Sequence, residues 1–77
     1  MKKSKTTKCY AAVDKGSDIV TFFKKMPKMT DDGVFYGDEM FQYTTSDFPQ
    51  LSFENSPIPA EYDGTTGHIT LKMNKMF

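Results

Sequence analysis

Two apolar runs on either side of a short polar turn constrain the fold of this chain most strongly. Residues 9–13 read Cys-Tyr-Ala-Ala-Val, residues 19–23 read Ile-Val-Thr-Phe-Phe, and Lys15-Gly16-Ser17-Asp18 lies between them. Such runs around a Gly-containing turn predict a β-hairpin. Both runs are apolar at odd and even positions. They therefore predict strands in the middle of a sheet, or strands covered on one face by another chain.

Patterning elsewhere in the chain also favours strands and turns. Further strands are predicted at 34–36, 39–45 and 67–74, the first two as a second hairpin, because apolar side chains recur there between turn residues. Ser46 can act as an N-cap, which predicts one helical turn at 46–51. Two prolines favour an extended connection across 55–60 over a central strand.

Composition supports this assignment, because seven Phe and four Tyr suit a pleated surface better than a helix. We predict a mainly β fold, namely a small antiparallel sheet or partly open barrel of about five strands with at most one short helical turn. Residues 1–7 are expected to form a basic, mobile segment and residues 8–77 a single β-rich domain. A chain of 77 residues has a thin core. A homo-oligomer is therefore expected.

The residues needed for catalysis or metal binding are scarce. Cys9 and His68 are the only residues of their types, and no metal-ligand spacing surrounds them. Asp31, Asp32, Asp38 and Glu39 do not follow the spacing of a calcium loop, and their expected roles are in turns and solubility. We therefore expect no enzyme, no catalytic residue, no metal site and no cofactor.

Charge and hydropathy exclude further classes. The chain has no run of about 18 apolar residues, so no membrane association is expected. The polar residues after Met1-Lys2-Lys3 do not form a secretion signal, which favours a cytoplasmic location. Arginine is absent, and this disfavours sequence-specific nucleic-acid binding. Eight Lys and two Asp in residues 1–28 nevertheless make that part of the chain basic.

Two groups of residues are candidates for binding. The first combines Lys24, Lys25 and Lys28 with the neighbouring Phe22, a mixture that can hold phosphates or acidic surfaces. Its alternative role is protection of a strand edge by lysine. The second group is aromatic and includes Tyr36 and Tyr43, because eleven aromatic side chains exceed what a thin core can readily bury.

The segment Lys8–Gly16, with its Tyr10, Ala12-Val13-Asp14 and glycine turn, resembles the opening of small uncharacterised proteins of phages and prophages. Those proteins continue with a Phe-bearing strand, a Lys-Pro-like dipeptide, an aromatic strand and a segment like Leu-Thr-Trp-Glu. The corresponding segments here are Phe22-Phe23, Met26-Pro27, Phe35-Tyr36-Gly37 and the segment from Phe48 to Pro57. Phe53 stands where that family has Trp. The resemblance covers roughly residues 8–62 and implies a compact β-rich phage accessory protein.

These observations together predict a non-enzymatic, phage-encoded binding protein of the host cell cytoplasm. The leading hypothesis is an inhibitor of a host defence system that acts by contact with a host protein. One alternative is a homo-oligomeric sponge that sequesters a small anionic nucleotide messenger. Another is a structural virion or assembly component.

Overall fold

The computed structural model describes residues 6–72, which form seven strands and one short helical turn. In chain order these are β1 (Thr6–Val13), β2 (Ile19–Phe23), β3 (Lys28–Met29), β4 (Phe35–Tyr36), β5 (Glu39–Thr44), a 3-10 turn (Phe53–Asn55), β6 (Ile58–Asp63) and β7 (Ile69–Leu71). The protein is mainly β, as predicted. β1 begins at Thr6, so Thr6 and Thr7 of the predicted N-terminal segment belong to the sheet and pair with Asp63 and Tyr62.

Five strands form one antiparallel sheet, the main sheet, in the order β5-β2-β1-β6-β7. The predicted β1–β2 hairpin is confirmed, and both of its strands lie inside the sheet. Among the described residues, β5 pairs only with β2 and β7 only with β6, so the sheet does not close into a barrel. β3 and β4 form a separate two-stranded unit.

The second predicted hairpin is wrong, because residues 39–44 pair with β2 and not with residues 34–36. Phe41 lies opposite Phe22, and their rings are 5.2 Å apart. Pairing with β2 packs Met40 and Phe41 of β5, both half-buried, against the core, which the two-residue strand β4 could not do. β4 instead pairs with Lys28–Met29, inside a segment that was predicted to be a loop.

The prolines do not prevent residues 58–63 from forming a central strand, contrary to the prediction. Pro59 lies opposite Tyr10 of β1, while its carbonyl accepts a hydrogen bond from the Lys72 N–H at 2.8 Å. In a β-strand, the nitrogen and the carbonyl of one residue point to the same side. The Pro59 nitrogen, which carries no hydrogen, therefore points toward the end of β7, and no hydrogen bond between β6 and β1 is lost. The helical turn lies at Phe53–Asn55 and not at 46–51.

The two faces of the main sheet differ in composition and in what covers them. One face carries no charged side chain and is called the uncharged face below. Its residues, which lie opposite one another on neighbouring strands, are Thr7, Cys9, Ala11, Val13, Val20, Phe22, Phe41, Tyr43, Ile58, Ala60, Tyr62, Ile69 and Leu71. It carries the larger core cluster. The sheet curls over this face strongly enough to bring the rings of Phe41 on β5 and Tyr62 on β6 within 5.0 Å, although two strands lie between β5 and β6.

The opposite face carries a smaller core cluster. Ala12 and Phe23 are buried there beneath Phe35, and Phe53 packs against the same group. The covering layer therefore comes from β4 and the 3-10 turn. The predicted faces of the last strand are confirmed for its described part, because Ile69 and Leu71 are half-buried and Thr70 is exposed. Met73 and Asn74 of that prediction lie outside the described residues.

Candidate functional site

The β3–β4 unit is anchored to the main sheet through Phe35. This side chain is buried against Ala12 and Phe23, and its ring lies 6.1 Å from that of Phe53. Its backbone N–H donates a hydrogen bond of 2.9 Å to Asp14 Oδ1. Hydrophobic burial and a backbone contact thus hold the same residue in place.

The turn that joins β3 to β4 is also well ordered by hydrogen bonds. The Thr30 N–H donates to the Val34 carbonyl at 2.9 Å, and Thr30 Oγ1 accepts from the Val34 N–H at 3.2 Å. Gly33 has a φ of +87°, and its carbonyl accepts a hydrogen bond of 2.9 Å from the Lys15 N–H. The turn is therefore tied to the β1–β2 turn as well.

The β3–β4 unit and Met26 just before it expose an unusual amount of apolar surface, with Val34 and Tyr36 on the outward side and Met29 opposite Phe35. Strand alternation turns Val34 and Tyr36 outward when Phe35 points inward. Met26, Met29, Val34 and Tyr36 are 59%, 51%, 44% and 49% exposed, and they account for most of the large exposed hydrophobic residues in the described chain. Concentrated apolar exposure of this kind is typical of interaction surfaces.

Lysines flank these apolar side chains. Lys24, Lys25 and Lys28 are exposed, and Lys28 pairs directly with Tyr36. Lys25, Met26, Lys28, Tyr36, Gly37 and Asp38 line a groove of about 270 Å³. The lysines and the four exposed apolar side chains, which are Lys24, Lys25, Met26, Lys28, Met29, Val34 and Tyr36, are called the hairpin surface below.

The structure brings together only some of the residues predicted to bind. Lys25, Lys28 and Tyr36 all line the groove. Lys24 lies where the chain leaves the main sheet for the β3–β4 unit, and its backbone N–H donates a hydrogen bond of 2.8 Å to the Asp38 carbonyl. Phe22 is fully buried, so its side chain is not accessible to a partner. Tyr43 lies on the uncharged face of the main sheet, away from the lysines.

Val34 was missed by the sequence reasoning. The signal that could have identified it is the alternation around Phe35, which turns both neighbours of a buried residue outward. Residues 34–36 were predicted to be a strand, but the inward residue could not be identified without knowing that Phe35 packs on Phe23.

Two other cavities are less suited to a defined chemistry. The larger, of about 590 Å³, lies between the β1–β2 turn and residues 45–54 and mixes Asp14 and Glu54 with Lys15. The other, of about 310 Å³, includes Cys9. Burial, and secondarily the carboxylate of Glu61, raises the pKa of the Cys9 thiol. A raised pKa keeps the sulfur protonated, which is the opposite of what an activated nucleophile needs.

The described part of the chain offers neither a metal-binding cluster nor a membrane-spanning helix. Residues 6–72 contain no group of three or more His, Cys, Asp or Glu side chains placed to hold a metal ion. None of their helices has the length and apolarity to span a bilayer. Comparison with known proteins found no matching family model, no matching curated protein and no matching solved structure.

Proposed function

We propose that this chain is a non-enzymatic binding protein that acts by contact with another protein through the hairpin surface. The observation that carries the proposal is the concentration of exposed Met26, Met29, Val34 and Tyr36 on one small unit. Tyrosine and methionine are enriched at protein interfaces, and flexible thioethers adapt to the shape of a partner.

The flanking charges support an acidic partner. Lys24, Lys25 and Lys28 are exposed, and Lys25 and Lys28 line the groove beside Met26 and Tyr36, so polar charges adjoin the apolar side chains as at the rim of an interface. Positive charges at a rim speed the encounter with an acidic surface and disfavour basic partners. The groove also contains Asp38, which a densely negative ligand would have to approach. This favours a protein surface over a small polyanion.

The resemblance to small phage and prophage proteins supports a biological setting for this contact. In that setting the partner is a protein of a bacterial defence system, and the binding protein acts in the host cytoplasm by occupying a surface that the defence system needs. Small size is compatible with such a role, because inhibition by occupancy requires a surface and no catalytic machinery.

The proposal is tested by affinity capture from a lysate of the bacterial host. The parent protein is compared with Tyr36→Ala and with the triple charge reversal of Lys24, Lys25 and Lys28 to Glu. We expect the parent to capture a specific host protein, Tyr36→Ala to capture less of it, and the triple variant to lose it. Raising the salt to about 0.5 M, where the Debye length is roughly 4 Å, should weaken capture by the parent.

A control reverses an exposed lysine outside the hairpin surface, Lys15→Glu, and should capture the partner as the parent does. Equal capture by the parent and the triple variant contradicts the proposed surface. A nucleotide retained on purification, detected as excess absorbance at 260 nm, would instead support the sponge. Assembly into particles with other phage proteins would support the structural alternative.

A further inference from the structure

We propose that the uncharged face of the main sheet binds a second copy of this chain. Folded domains bury an apolar sheet face against a second layer. In this chain β4 and the 3-10 turn supply such a layer for the opposite face, which carries the smaller core cluster. The larger cluster lies on the uncharged face.

Within a single chain the centre of the uncharged face is already buried, since Cys9, Ala11 and Val20 are at most 1% exposed, so the surface left for a partner is the rim of the face. Among the described residues, Phe48 and Leu51 are the members of its cluster that come from outside the strands. The ring of Phe48 lies 5.5 Å from that of Phe22 and 5.4 Å from that of Tyr43. The remaining rim consists of half-buried apolar side chains that keep part of their surface in water: Met40, Phe41, Tyr62, Ile69 and Leu71.

Charge favours a second copy as the partner. A two-fold symmetric dimer places the same patch of both subunits against itself, so any net charge in the patch repels its own image. The uncharged face escapes that penalty, because no position on it carries a charge. A strongly charged partner would lose hydration there without meeting a counter-charge. The hairpin surface, with its three lysines, cannot pair with itself in this way.

The outer edge of β5 is a poorer route to a dimer. The Asp47 N–H donates a hydrogen bond of 3.0 Å to the Thr44 carbonyl, and the Asp47 carboxylate lies 3.5 Å from the Thr44 N–H. The end of β5 is thus closed by its own chain, which shortens the edge available to another strand. Face-to-face packing on the uncharged face does not need a free strand edge.

The test is the native mass at micromolar concentration, measured by sedimentation or light scattering. We expect the parent to have twice the mass of one chain. Ile69→Lys and Tyr43→Lys each place a charge on the uncharged face and should yield monomers with an unchanged circular dichroism spectrum. Thr70→Lys is the matched control, because it puts the same charge on the same strand but on the other face, and it should remain dimeric.

A monomeric parent, or folded Ile69→Lys and Tyr43→Lys variants that remain dimers, would overturn the proposal. NMR spectra of the parent protein provide a second test that requires no variant. On dilution from dimer to monomer, the NMR ring signals of Tyr43 and Tyr62 should shift while those of Tyr10 and Tyr36 stay in place. The reverse pattern would place the interface elsewhere.

Discussion

The carboxylate of Asp14 accepts a hydrogen bond from the backbone N–H of Phe35, 21 residues further along the chain, at 2.9 Å. This contact joins the residue that follows β1 to the first residue of β4. It fixes the height of the β3–β4 unit above the main sheet and therefore the position of Tyr36, the next residue. A single side chain of the sheet thus helps to place the hairpin surface.

Asp14→Ala should lower the free energy of unfolding by about 1–3 kcal/mol, because it leaves the part-buried Phe35 N–H without an acceptor. Asp14→Asn should retain most of the stability, since its amide oxygen can still accept. Asp32→Ala removes an exposed carboxylate in the β3–β4 turn and serves as the control. Urea unfolding checks all three. Equal losses for Asp14→Ala and Asp14→Asn would show that charge matters and the hydrogen bond does not.

Gly33→Ala should destabilise the protein more than Gly16→Ala. Both glycines have positive φ, at +87° and +75°, where a side chain costs roughly 1–2 kcal/mol. A Cβ at Gly33 would also lie 2.7 Å from the Cβ of Lys15, whereas a Cβ at Gly16 would have nothing within 4 Å. Thermal unfolding of the two variants measures the difference. Equal midpoints would mean that the two turns separate without cost.

Ser56→Ala should cost about 1–3 kcal/mol, because Ser56 Oγ accepts a hydrogen bond of 2.9 Å from the backbone N–H of Val13 at the end of β1. The same hydroxyl donates to the Ser52 carbonyl at 2.7 Å, so its loss also loosens the 3-10 turn. Ser46→Ala, at an exposed position, is the control. Denaturant midpoints provide the comparison. An unaffected Ser56→Ala would indicate that another acceptor replaces the hydroxyl.

The free energy of unfolding should decrease as the pH rises above the usual thiol pKa of about 9.0, because burial raises the pKa of Cys9 in the folded state. Below that pH the thiol is protonated in both states and the full stability is present. Above it the unfolded chain ionises first, and stability is lost until the pH reaches the folded-state pKa. Cys9→Ala should show a shallower decline. Parallel pH profiles for the two proteins would contradict this.

The first hairpin could be predicted from sequence, because its strands and turn are neighbours and need only local pattern to meet. Pairing of β5 with β2 could not be predicted in the same way. It depends on Phe41 finding Phe22 across the intervening β3–β4 unit, a contact between residues 19 positions apart. The prediction that Pro59 prevents a central strand was wrong for a related reason. The effect of a proline in a sheet depends on which neighbour its nitrogen faces, and only the pairing with β1 and β7 reveals that.

The candidate site was partly predictable. Lysines beside aromatic residues indicated the segment that carries Lys25, Lys28 and Tyr36, but sequence alone could not show which aromatic side chains face the core. Phe22 and Tyr36 have similar local contexts, yet one is fully buried and the other is 49% exposed. That difference arises from tertiary packing, because Phe22 lies in the core of the main sheet and Tyr36 lies on the outward side of the separate β3–β4 unit.

Alternation in the β3–β4 unit separates anchoring from recognition. Phe35 and the acceptor at Asp14 hold the unit from below, while its outward residues contact little of the sheet. Substitutions at positions 26, 28, 34 and 36 can therefore change the proposed binding surface without a matching change in the core. If the hairpin surface binds a host protein as proposed, the chain can follow a partner that mutates to escape it, because specificity and stability then evolve on different residues.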